Sequence, residues 1–471
     1  MTTQVRSPEA QDIVILGATG DLARRKLLPS LFRLHTAGSL PQRGKILGVA
    51  RGELTDEAFR AVARQAIEAA GGNLEEDDWL QFAARLQYVK LDAGLKSLAA
   101  ASQQDRRLVY LAIPPSSFAD AIHDLTEAGL SEGSSIVIEK PFGRDLASAR
   151  RLNEVLQASF PEERIFRIDH YLGKETVQNI LVLRFGNSIF ERIWNREAID
   201  HIEITVAEAI GVEERGGFYE DVGALRDVVQ NHILQILATL TMEPPVSLDA
   251  DAIRDEKVKL LKAVQPFKPT EAVRGQYQAA TVGGERLSGY LEEADVAANS
   301  NTETFVALRV SIDNWRWSGV PIFLRTGKRL PRRATQVEIA FRDVPKCFFE
   351  GTSVESALPN RLVLEIQPEE KVSISFLSKV PGPQIAVKPV EMKFSFTDAF
   401  PPEPEEAYGR LLLDAMRGDH TLFVRQDGVE RAWQLVEPLI QNPPPICYYQ
   451  AGTWGPEEAN TLIEPETWNL R

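Results

Sequence analysis

The first third of the chain repeats one pattern, in which a short and almost continuously apolar run is followed by a stretch with helical spacing. The apolar runs are Ile13–Leu16, Ile46–Ala50, Leu108–Ile113 and Ser135–Ile138. Strands that are apolar on both sides are typical of a parallel sheet with helices on each face. We therefore predict an α/β, doubly wound domain over residues 1–168.

The strand pattern changes from about residue 200, where apolar and polar residues alternate. The alternating runs are His201–Val206, Thr304–Val310, Val337–Phe341 and Arg361–Ile366. Alternation indicates an antiparallel sheet with one packed face and one wetter face. Helical patterns interrupt these runs near 221–241 and 405–417. We predict a larger α+β domain over residues 169–471, with a mainly antiparallel sheet and helices.

Charge and cysteine content exclude several classes of protein. The chain has 471 residues and a formal net charge of −14, so it is a poor general binder of nucleic acid or anionic membrane. It shows no apolar leader and no run near the roughly 18 apolar residues of a membrane span. Cys347 and Cys447 are the only cysteines, which predicts reduced thiols and a cytoplasmic protein. The six histidines form no HExxH pair, so we expect no metal site.

A glycine turn follows the first apolar run and precedes a helical stretch. Its residues are Gly17, Ala18, Thr19, Gly20, Asp21 and Leu22. The first glycine permits a tight turn, the second lets the backbone approach a pyrophosphate, and the small Ala23 allows close helix packing. The GxxGxxA spacing departs from GxGxxG, so a purely structural turn is the alternative. Its position after a buried strand favours a Rossmann-type dinucleotide site.

The residue after the second apolar run bears on which dinucleotide binds. NAD-specific sites usually place an acidic residue there to bond the ribose 2′-hydroxyl. This chain has Arg51, whose guanidinium suits the 2′-phosphate of NADP. Glu53 lies two residues further on, so NAD remains a weaker alternative.

Two segments end the first predicted domain with polar side chains. Lys140, in EKPFG at 139–143, follows a buried strand and lies where ligands bind an open parallel sheet. In RIDHYLGKE at 167–175, four polar residues stand between a strand and a helix. They are Asp169, His170, Tyr171 and Lys174. With the helix N-terminus, the last three have the chemistry to hold a phosphate.

A predicted helix near 221–241 carries a histidine on its apolar face. His232 falls among Leu225, Val229, Ile236 and Leu240 at α-helical spacing. It is either a core histidine or a general base in a dry cleft. Asp227 is five residues earlier, about 140° round an α-helix, so the helix alone does not bring the two together.

Two further pieces carry candidate sugar-binding groups. Glu208 ends an alternating run and presents a carboxylate to hydroxyls. The segment 323–333 holds five cations in eleven residues, including Lys328 and Arg333. In an acidic chain this segment is either a local anion site or a solvated loop, and we favour the anion site.

These motifs together resemble the glucose-6-phosphate dehydrogenase family along nearly the whole chain. Besides EKPFG and RIDHYLGKE, the matching segments are GATGDLARRKLLP at 17–29, RGGFYEDVGALRDVVQNH at 215–232, VPIFLRTGKRL at 320–330, YGRLLLDAMRGDHTLF at 408–423 and YYQAGTWGP at 448–456. The resemblance implies oxidation of glucose 6-phosphate to 6-phosphogluconolactone with NADP, the first oxidative step of the pentose phosphate pathway. It also implies a homodimer, or a dimer of dimers, formed through the antiparallel sheet.

The resemblance assigns roles to residues that match its motifs. His232 would take the proton of the anomeric hydroxyl, and Asp169 would orient His232. His170, Tyr171 and Lys174 would hold the sugar phosphate. Further substrate contacts would come from Glu208, Asp227, Lys328, Arg333 and Lys140. Lys140 would also meet the cofactor, together with Arg51 and the glycine turn. Pro331, between Lys328 and Arg333, makes the Arg333 assignment the less secure.

Two other readings fit part of the sequence. A sugar oxidoreductase of the glucose–fructose oxidoreductase type also carries an EKP turn after a Rossmann unit, but RIDHYLGKE and GATGD favour the first reading. A non-catalytic nucleotide sensor would be expected to lose the base or its partner. This chain keeps Asp169, Lys174 and His232.

Overall fold

The structure, a computed structural model, describes residues 8–71, 74–91, 95–346, 360–383, 385–400 and 407–470. Cys347, one of the two predicted reduced thiols, lies outside these ranges. The strands are β1 Asp12–Leu16, β2 Ile46–Ala50, β3 Leu86–Lys90, β4 Arg107–Leu111, β5 Ser134–Ile138, β6 Ile165–Ile168, β7 Ile199–Ala207, β8 Ala272–Gln278, β9 Ala280–Val282, β10 Glu285–Leu287, β11 Phe305–Val310, β12 Ile322–Gly327, β13 Ala334–Phe341, β14 Arg361–Gln367, β15 Lys371–Lys379, β16 Val387–Ser395, β17 Phe423–Val424 and β18 Ile446–Gln450.

The α-helices are α1 Leu28–Thr36, α2 Asp56–Ala69, α3 Glu76–Arg85, α4 Lys96–Ala101, α5 Phe118–Glu127, α6 Leu146–Ser159, α7 Glu175–Phe185, α8 Ser188–Glu191, α9 Gly216–Ala224, α10 Leu234–Thr241, α11 Ala250–Ala263, α12 Phe396–Ala399, α13 Ala407–Arg417, α14 Gln426–Gln441 and α15 Glu458–Ile463. Two helical segments, Ala23–Leu27 and Leu225–Ile233, are wound as π-helix. Among the described residues, no helix combines the length and the apolar character that crossing a membrane requires.

The chain forms two compact units. The first consists of the described residues of Met1–Lys174, Pro245–Asp255 and Glu403–Glu430. The second consists of those of Glu175–Pro244, Glu256–Pro402 and Arg431–Arg471. The predicted division at 168/169 lies close to the end of the first segment, but segments from later in the chain complete the first unit.

The first unit contains a seven-stranded sheet in the order β17-β6-β5-β4-β1-β2-β3. Strands β1 to β6 pair in parallel, and the short β17 adds antiparallel to β6. All five residues of β1 and of β2 are buried, as strands covered on both faces require. The doubly wound α/β prediction is confirmed.

The second unit is built on a nine-stranded sheet in the order β16-β15-β14-β13-β7-β12-β11-β8-β18. Six of its pairs are antiparallel, whereas β7 with β12 and β8 with β18 run parallel. The prediction of a larger domain with a mainly antiparallel sheet is therefore confirmed.

The expectation of a wetter face is wrong for the central strands of this sheet. Every residue of β13 is buried, and Asp200 is the only residue of β7 that is not. The polar side chains His201, Glu203 and Glu338 lie inside because they pair with one another and with Arg361. Only towards β14 does the expected alternation of buried and partly exposed residues appear.

The C-terminal segment, residues 468–470, packs against buried charged side chains of this sheet. The Asn469 N–H donates to Glu203 at 3.1 Å, and the Arg325 guanidinium donates to the Leu470 carbonyl at 2.5 Å. Arg325 also lies over the ring of Trp468, 4.3 Å from its centroid. Burial lowers the pKa of Arg325 to about 9, and the charge of Glu203 partly offsets that fall. The segment thereby supplies the partners that a buried guanidinium needs.

We predict that His201 makes the stability of the chain depend on pH. Its Nδ1 lies 2.9 Å from Asp200 Oδ2, and its Nε2 lies 3.6 Å from Glu203 Oε1. Burial lowers the pKa of His201, but these two carboxylates outweigh burial and raise it above the usual 6.5. A raised folded-state pKa stabilises the fold fully below about 6.5, and this stabilisation is lost as pH rises through the raised value.

The measurement is the thermal midpoint over a pH series that starts below 6.5. The midpoint should fall less with rising pH in His201→Gln than in the parent chain. His123→Gln, at an exposed histidine of α5, should leave the slope unchanged. Parallel slopes for the parent chain and His201→Gln would contradict the prediction.

Candidate active site

The glycine turn of the first unit has the geometry expected of a phosphate-binding loop. Gly17 adopts a φ of 91°, and a Cβ placed there would lie 2.2 Å from the Ala112 carbonyl oxygen, so no other residue fits. The Gly17 and Ala18 N–H groups both bond the Val49 carbonyl, and the helix starts at Asp21. Ala23 is fully buried, as close packing of this helix on the strand requires. Gly17 therefore keeps the turn tight against the Ala112 backbone, and the first N–H groups of the following helix suit an anion.

The end of β2 presents Arg51 and Glu53 to solvent. Glu53 forms an ion pair with Lys90 at the end of β3, and this contact lowers the pKa of Glu53. The Tyr88 hydroxyl bonds the Ala50 carbonyl at 3.1 Å and thereby fixes the end of β2. The Glu53 carboxylate, which would repel the 2′-phosphate of NADP, is thus paired with the positive charge of Lys90.

Lys140 lies at the carboxyl end of β5, next to a buried carboxyl group. Burial raises the pKa of Glu139, while hydrogen bonds from the Tyr110 and Tyr408 hydroxyls and the charge of Lys140 lower it. The Tyr110 hydroxyl lies 2.5 Å from Glu139 Oε1. Asp169 adds a further negative charge that raises the Glu139 pKa. Lys140 therefore lies in a polar group that includes two tyrosines.

The loop after β6 brings together the predicted phosphate-binding residues. Asp169 is buried, and its Oδ1 accepts the Tyr171 N–H at 3.0 Å, which holds the loop in a tight turn. The His170 and Tyr171 rings are 5.0 Å apart, and Lys174 Nζ lies 5.0 Å from the centre of the Tyr171 ring. Helix α7 begins at Glu175, directly after Lys174.

In the second unit, Asp227 and His232 share a segment whose winding differs from the prediction. Residues 225–233 form a π-helix, and the Leu234 N–H bonds the carbonyl of Val229, five residues earlier. Residues five apart in a π-helix follow one another along nearly the same side. The expectation that about 140° separates Asp227 from His232 is therefore wrong. His232 is buried, as predicted from its apolar face.

Glu208 and Lys328 form an ion pair at the ends of the neighbouring strands β7 and β12. Lys328 Nζ also lies 5.2 Å from the centre of the Tyr219 ring. Burial raises the pKa of Tyr219 strongly, and the charges of Asp227 and Glu208 raise it further. One buried phenol therefore lies under Lys328 and within the electrostatic influence of Asp227 and Glu208.

The five cations of segment 323–333 do not form one anion site. Arg325 is buried against the C-terminal segment, and Arg329 is paired with Glu293 at 3.4 Å. Arg333 is exposed, and its Nη2 donates to Gln367 Oε1 at 3.1 Å. Only Lys328 of this segment joins the cluster around Tyr219.

The sequence motifs assigned no role to Glu139, Tyr219 or Tyr408. The rings of Tyr408 and His170 are nearly parallel, with centroids 6.2 Å apart and an angle of 12° between the ring planes. Each of the three lies in a segment that matched the family by resemblance, so membership of these segments was the available signal. The predicted pairing of Asp169 with His232 joins residues of different units and stays a prediction.

Comparison with known proteins identifies the family. The family model "Glucose-6-phosphate dehydrogenase, NAD binding domain" matches residues 14–179, and "Glucose-6-phosphate dehydrogenase, C-terminal domain" matches residues 181–469. The chain is 44% identical to the glucose-6-phosphate 1-dehydrogenase of Rhizobium meliloti, covering 100% of this chain and 99% of that protein.

Two solved structures show the same fold over the whole chain. The crystal structure of glucose-6-phosphate 1-dehydrogenase from Mycobacterium avium has a TM-score of 0.88 at 40% identity, and the alignment covers 99% of each chain. A glucose-6-phosphate dehydrogenase in complex with its substrate glucose-6-phosphate has a TM-score of 0.90 at 35% identity, covering 99% of this chain and 100% of that one. This chain therefore belongs to the glucose-6-phosphate dehydrogenase family.

Proposed function

We propose that this protein oxidises D-glucose 6-phosphate at C1 to 6-phosphogluconolactone, with NADP as the hydride acceptor. The supporting observation is the full-length likeness to a relative that was solved with glucose 6-phosphate bound. The residues that resemblance assigns to the reaction are present here and lie in ordered strand ends, a tight loop and one helical segment. The reaction is the first oxidative step of the pentose phosphate pathway.

In this proposal His232 removes the proton from the anomeric hydroxyl, because an imidazole shielded from solvent is suited to act as a general base. Asp169 orients the ring and stabilises its charged form. Loss of the hydroxyl proton promotes departure of the C1 hydrogen as hydride. When bound, the nicotinamide group accepts that hydride.

The sugar is held by groups of complementary chemistry. His170, Tyr171 and Lys174 bind the phosphate, with the N-terminus of α7 adding a favourable dipole. Because Lys328 is paired with Glu208, the pair offers a donor and an acceptor to neighbouring hydroxyls. Asp227 supplies a further acceptor, while Lys140 contacts substrate and cofactor. Arg333 completes the set; it is exposed, and its guanidinium donates to Gln367.

The first unit fits the cofactor. The Ala112 carbonyl excludes any side chain at Gly17, so the turn stays tight, and the following helix starts directly after it. Gly17, Ala18, Thr19, Gly20, Asp21 and Leu22 would hold the pyrophosphate. We infer that Arg51 binds the 2′-phosphate of NADP and that Lys90 reduces the repulsion from Glu53. NAD would bind more weakly.

Replacing the base should separate binding from chemistry. His232→Asn should lower turnover by about 10²- to 10⁴-fold, because a positioned base contributes that much, while glucose 6-phosphate still binds. The measurements are steady-state NADPH formation and substrate binding by calorimetry. His201→Asn, at a buried histidine of the same unit, should leave the turnover of folded protein unchanged. Near-parent turnover in His232→Asn would remove His232 from this role.

Replacing Arg51 should separate the two cofactors. Arg51→Ala should weaken NADP binding by about 10- to 100-fold, the loss expected for a charged hydrogen bond, and NAD binding far less. Fluorescence titration with each cofactor measures this. Arg64→Ala, at an exposed arginine of α2, is the matched control. Equal losses for NADP and NAD would show that Arg51 does not read the 2′-phosphate.

We propose that the nine-stranded sheet forms the interface of a homodimer. In a dimer of dimers, each of the two dimers would contain this interface. Strand β16 ends the sheet and is mostly exposed. Met392 and Phe394 of this strand are 60% and 39% exposed, although both are apolar. An exposed edge strand that carries apolar side chains is a surface on which a second copy of the chain can pair. In this proposal residues 1–168 bind the nucleotide, and residues 169–471 bind the substrate and form the dimer.

A charge on this strand should weaken the dimer. Met392→Lys should shift the mass in sedimentation equilibrium from twice 52.5 kDa towards 52.5 kDa. Val246→Lys, at a residue of the first unit that is 96% exposed, should leave the mass unchanged. A parent chain that sediments as a monomer would overturn the proposed interface.

The amino-acid composition supports a cytoplasmic location. Two cysteines in 471 residues are too few for a disulfide framework. Burial, together with the neighbouring Glu458, raises the pKa of Cys447, which disfavours the reactive thiolate form.

A further inference from the structure

Glu303 and Thr304 directly precede β11 and have no part in the reaction as described so far. Both are buried. They are polar residues in the interior of the second unit, and all their partners named below belong to that unit. Buried polar side chains need specific partners, so the identity of those partners shows what the two residues hold in place.

Glu303 bonds the first residues of the π-wound segment. Its carbonyl oxygen accepts the Ala224 N–H at 2.9 Å, and its Oε1 accepts the Leu225 N–H at 3.2 Å. The chain enters this segment through Gly223, at φ 65° and ψ 173°, and a Cβ on Gly223 would lie 2.5 Å from Glu303 Oε1. A helix start needs acceptors for its first N–H groups, and here one residue supplies two of them.

Arg274 fixes the Glu303 carboxylate to the sheet. Its Nη2 and Nε lie 3.0 and 3.2 Å from Glu303 Oε2. Arg274 belongs to β8, and its guanidinium also donates to the carbonyls of Asn301 at 2.7 Å and Pro444 at 2.8 Å. The position of the carboxylate is therefore set by the strand and not by a flexible surface contact.

Thr304 holds the backbone of Lys328. Its carbonyl oxygen accepts the Lys328 N–H at 3.0 Å. Its hydroxyl lies 3.1 Å from the Tyr449 hydroxyl, which donates to the Lys328 carbonyl at 2.7 Å. Both backbone groups of Lys328 are thus tied, directly or through one phenol, to the residue that follows Glu303.

We propose that Glu303 is a positioning residue which, with Thr304, sets the spacing between the π-wound segment carrying Asp227 and His232 and the strand end carrying Lys328. This inference rests on the proposed roles of those three residues. Glu303 bonds the start of the π-wound segment, and the adjacent Thr304 bonds the backbone of Lys328. A shift of the Glu303 carboxylate would therefore move His232 relative to Lys328. A displacement of about 1 Å is enough to lower a rate by about 10²-fold.

Glu303→Asp tests this proposal, because it keeps the charge for Arg274 but withdraws the carboxylate by one methylene from the Leu225 N–H. We expect kcat to fall by about 10- to 100-fold, with much smaller changes in KM and in NADP affinity. The control is Glu338→Asp, in the buried pair with Arg361 on the same sheet. It should destabilise the protein without changing the kcat of the folded fraction.

A double-mutant cycle separates positioning from general stability. If Glu303 acts through His232, Glu303→Asp should lower kcat in the parent chain but have little further effect in His232→Asn. Equal effects in both backgrounds, or a kcat change no larger than that of Glu338→Asp, would overturn the proposal. If Glu303→Asp does not fold, Arg274→Lys releases the carboxylate instead and is measured in the same cycle.

The same cycle distinguishes failure of this inference from failure of the proposed function. If His232→Asn retains parent turnover, the assigned base is wrong and the inference falls with it. If His232→Asn loses turnover while Glu303→Asp and Arg274→Lys keep it, the function stands and Glu303 has no positioning role.

Discussion

The second unit's share of the candidate site depends on a hydrogen-bond pattern that local sequence does not favour. A π-helix is rare, and it persists where the surrounding structure fixes it. Here the winding over residues 225–233 begins at groups bonded to Glu303 and continues into α10, whose residues are all buried. Asp227 and His232 share one side of the helix because of these anchors, so the spacing of the two residues is a tertiary property.

Many parts of the fold were predictable from sequence, for a simple reason. Runs that are apolar on every residue have one stable environment, the inside of a covered sheet, and β1, β2, β4 and β5 were found within two residues of prediction. The burial of Glu203 and Glu338 was not predictable, because both carboxylates pair with Arg361, which lies 158 and 23 residues further along the chain. The return of later segments to the first unit also leaves no local sequence pattern.

The candidate site divides in the same way. The Gly17 turn and the loop containing Asp169 lie at strand ends, as their positions after apolar runs predicted, and the Asp169 loop is also held by a bond between neighbours, from the Tyr171 N–H to Asp169. The cations of segment 323–333 were misjudged as a group, since Arg325, Arg329 and Lys328 face different partners. Proximity in sequence indicates little about a common ligand once a strand sends successive side chains to opposite faces.

Two buried tyrosines, Tyr110 and Tyr219, affect the electrostatic surroundings of Lys140 and Lys328. Burial keeps Tyr219 and Tyr110 protonated by raising their pKa, so neither phenol adds a charge. Tyr110 bonds the Glu139 carboxyl next to Lys140, and Tyr219 lies beneath Lys328. An acidic chain that binds a sugar phosphate needs its cations available to the ligand. The bond from Tyr110 to Glu139 reduces the competition of that carboxylate for Lys140. Lys328 stays paired with Glu208, and the neutral Tyr219 ring beneath it stabilises the ammonium without supplying a second negative charge that would compete with the substrate.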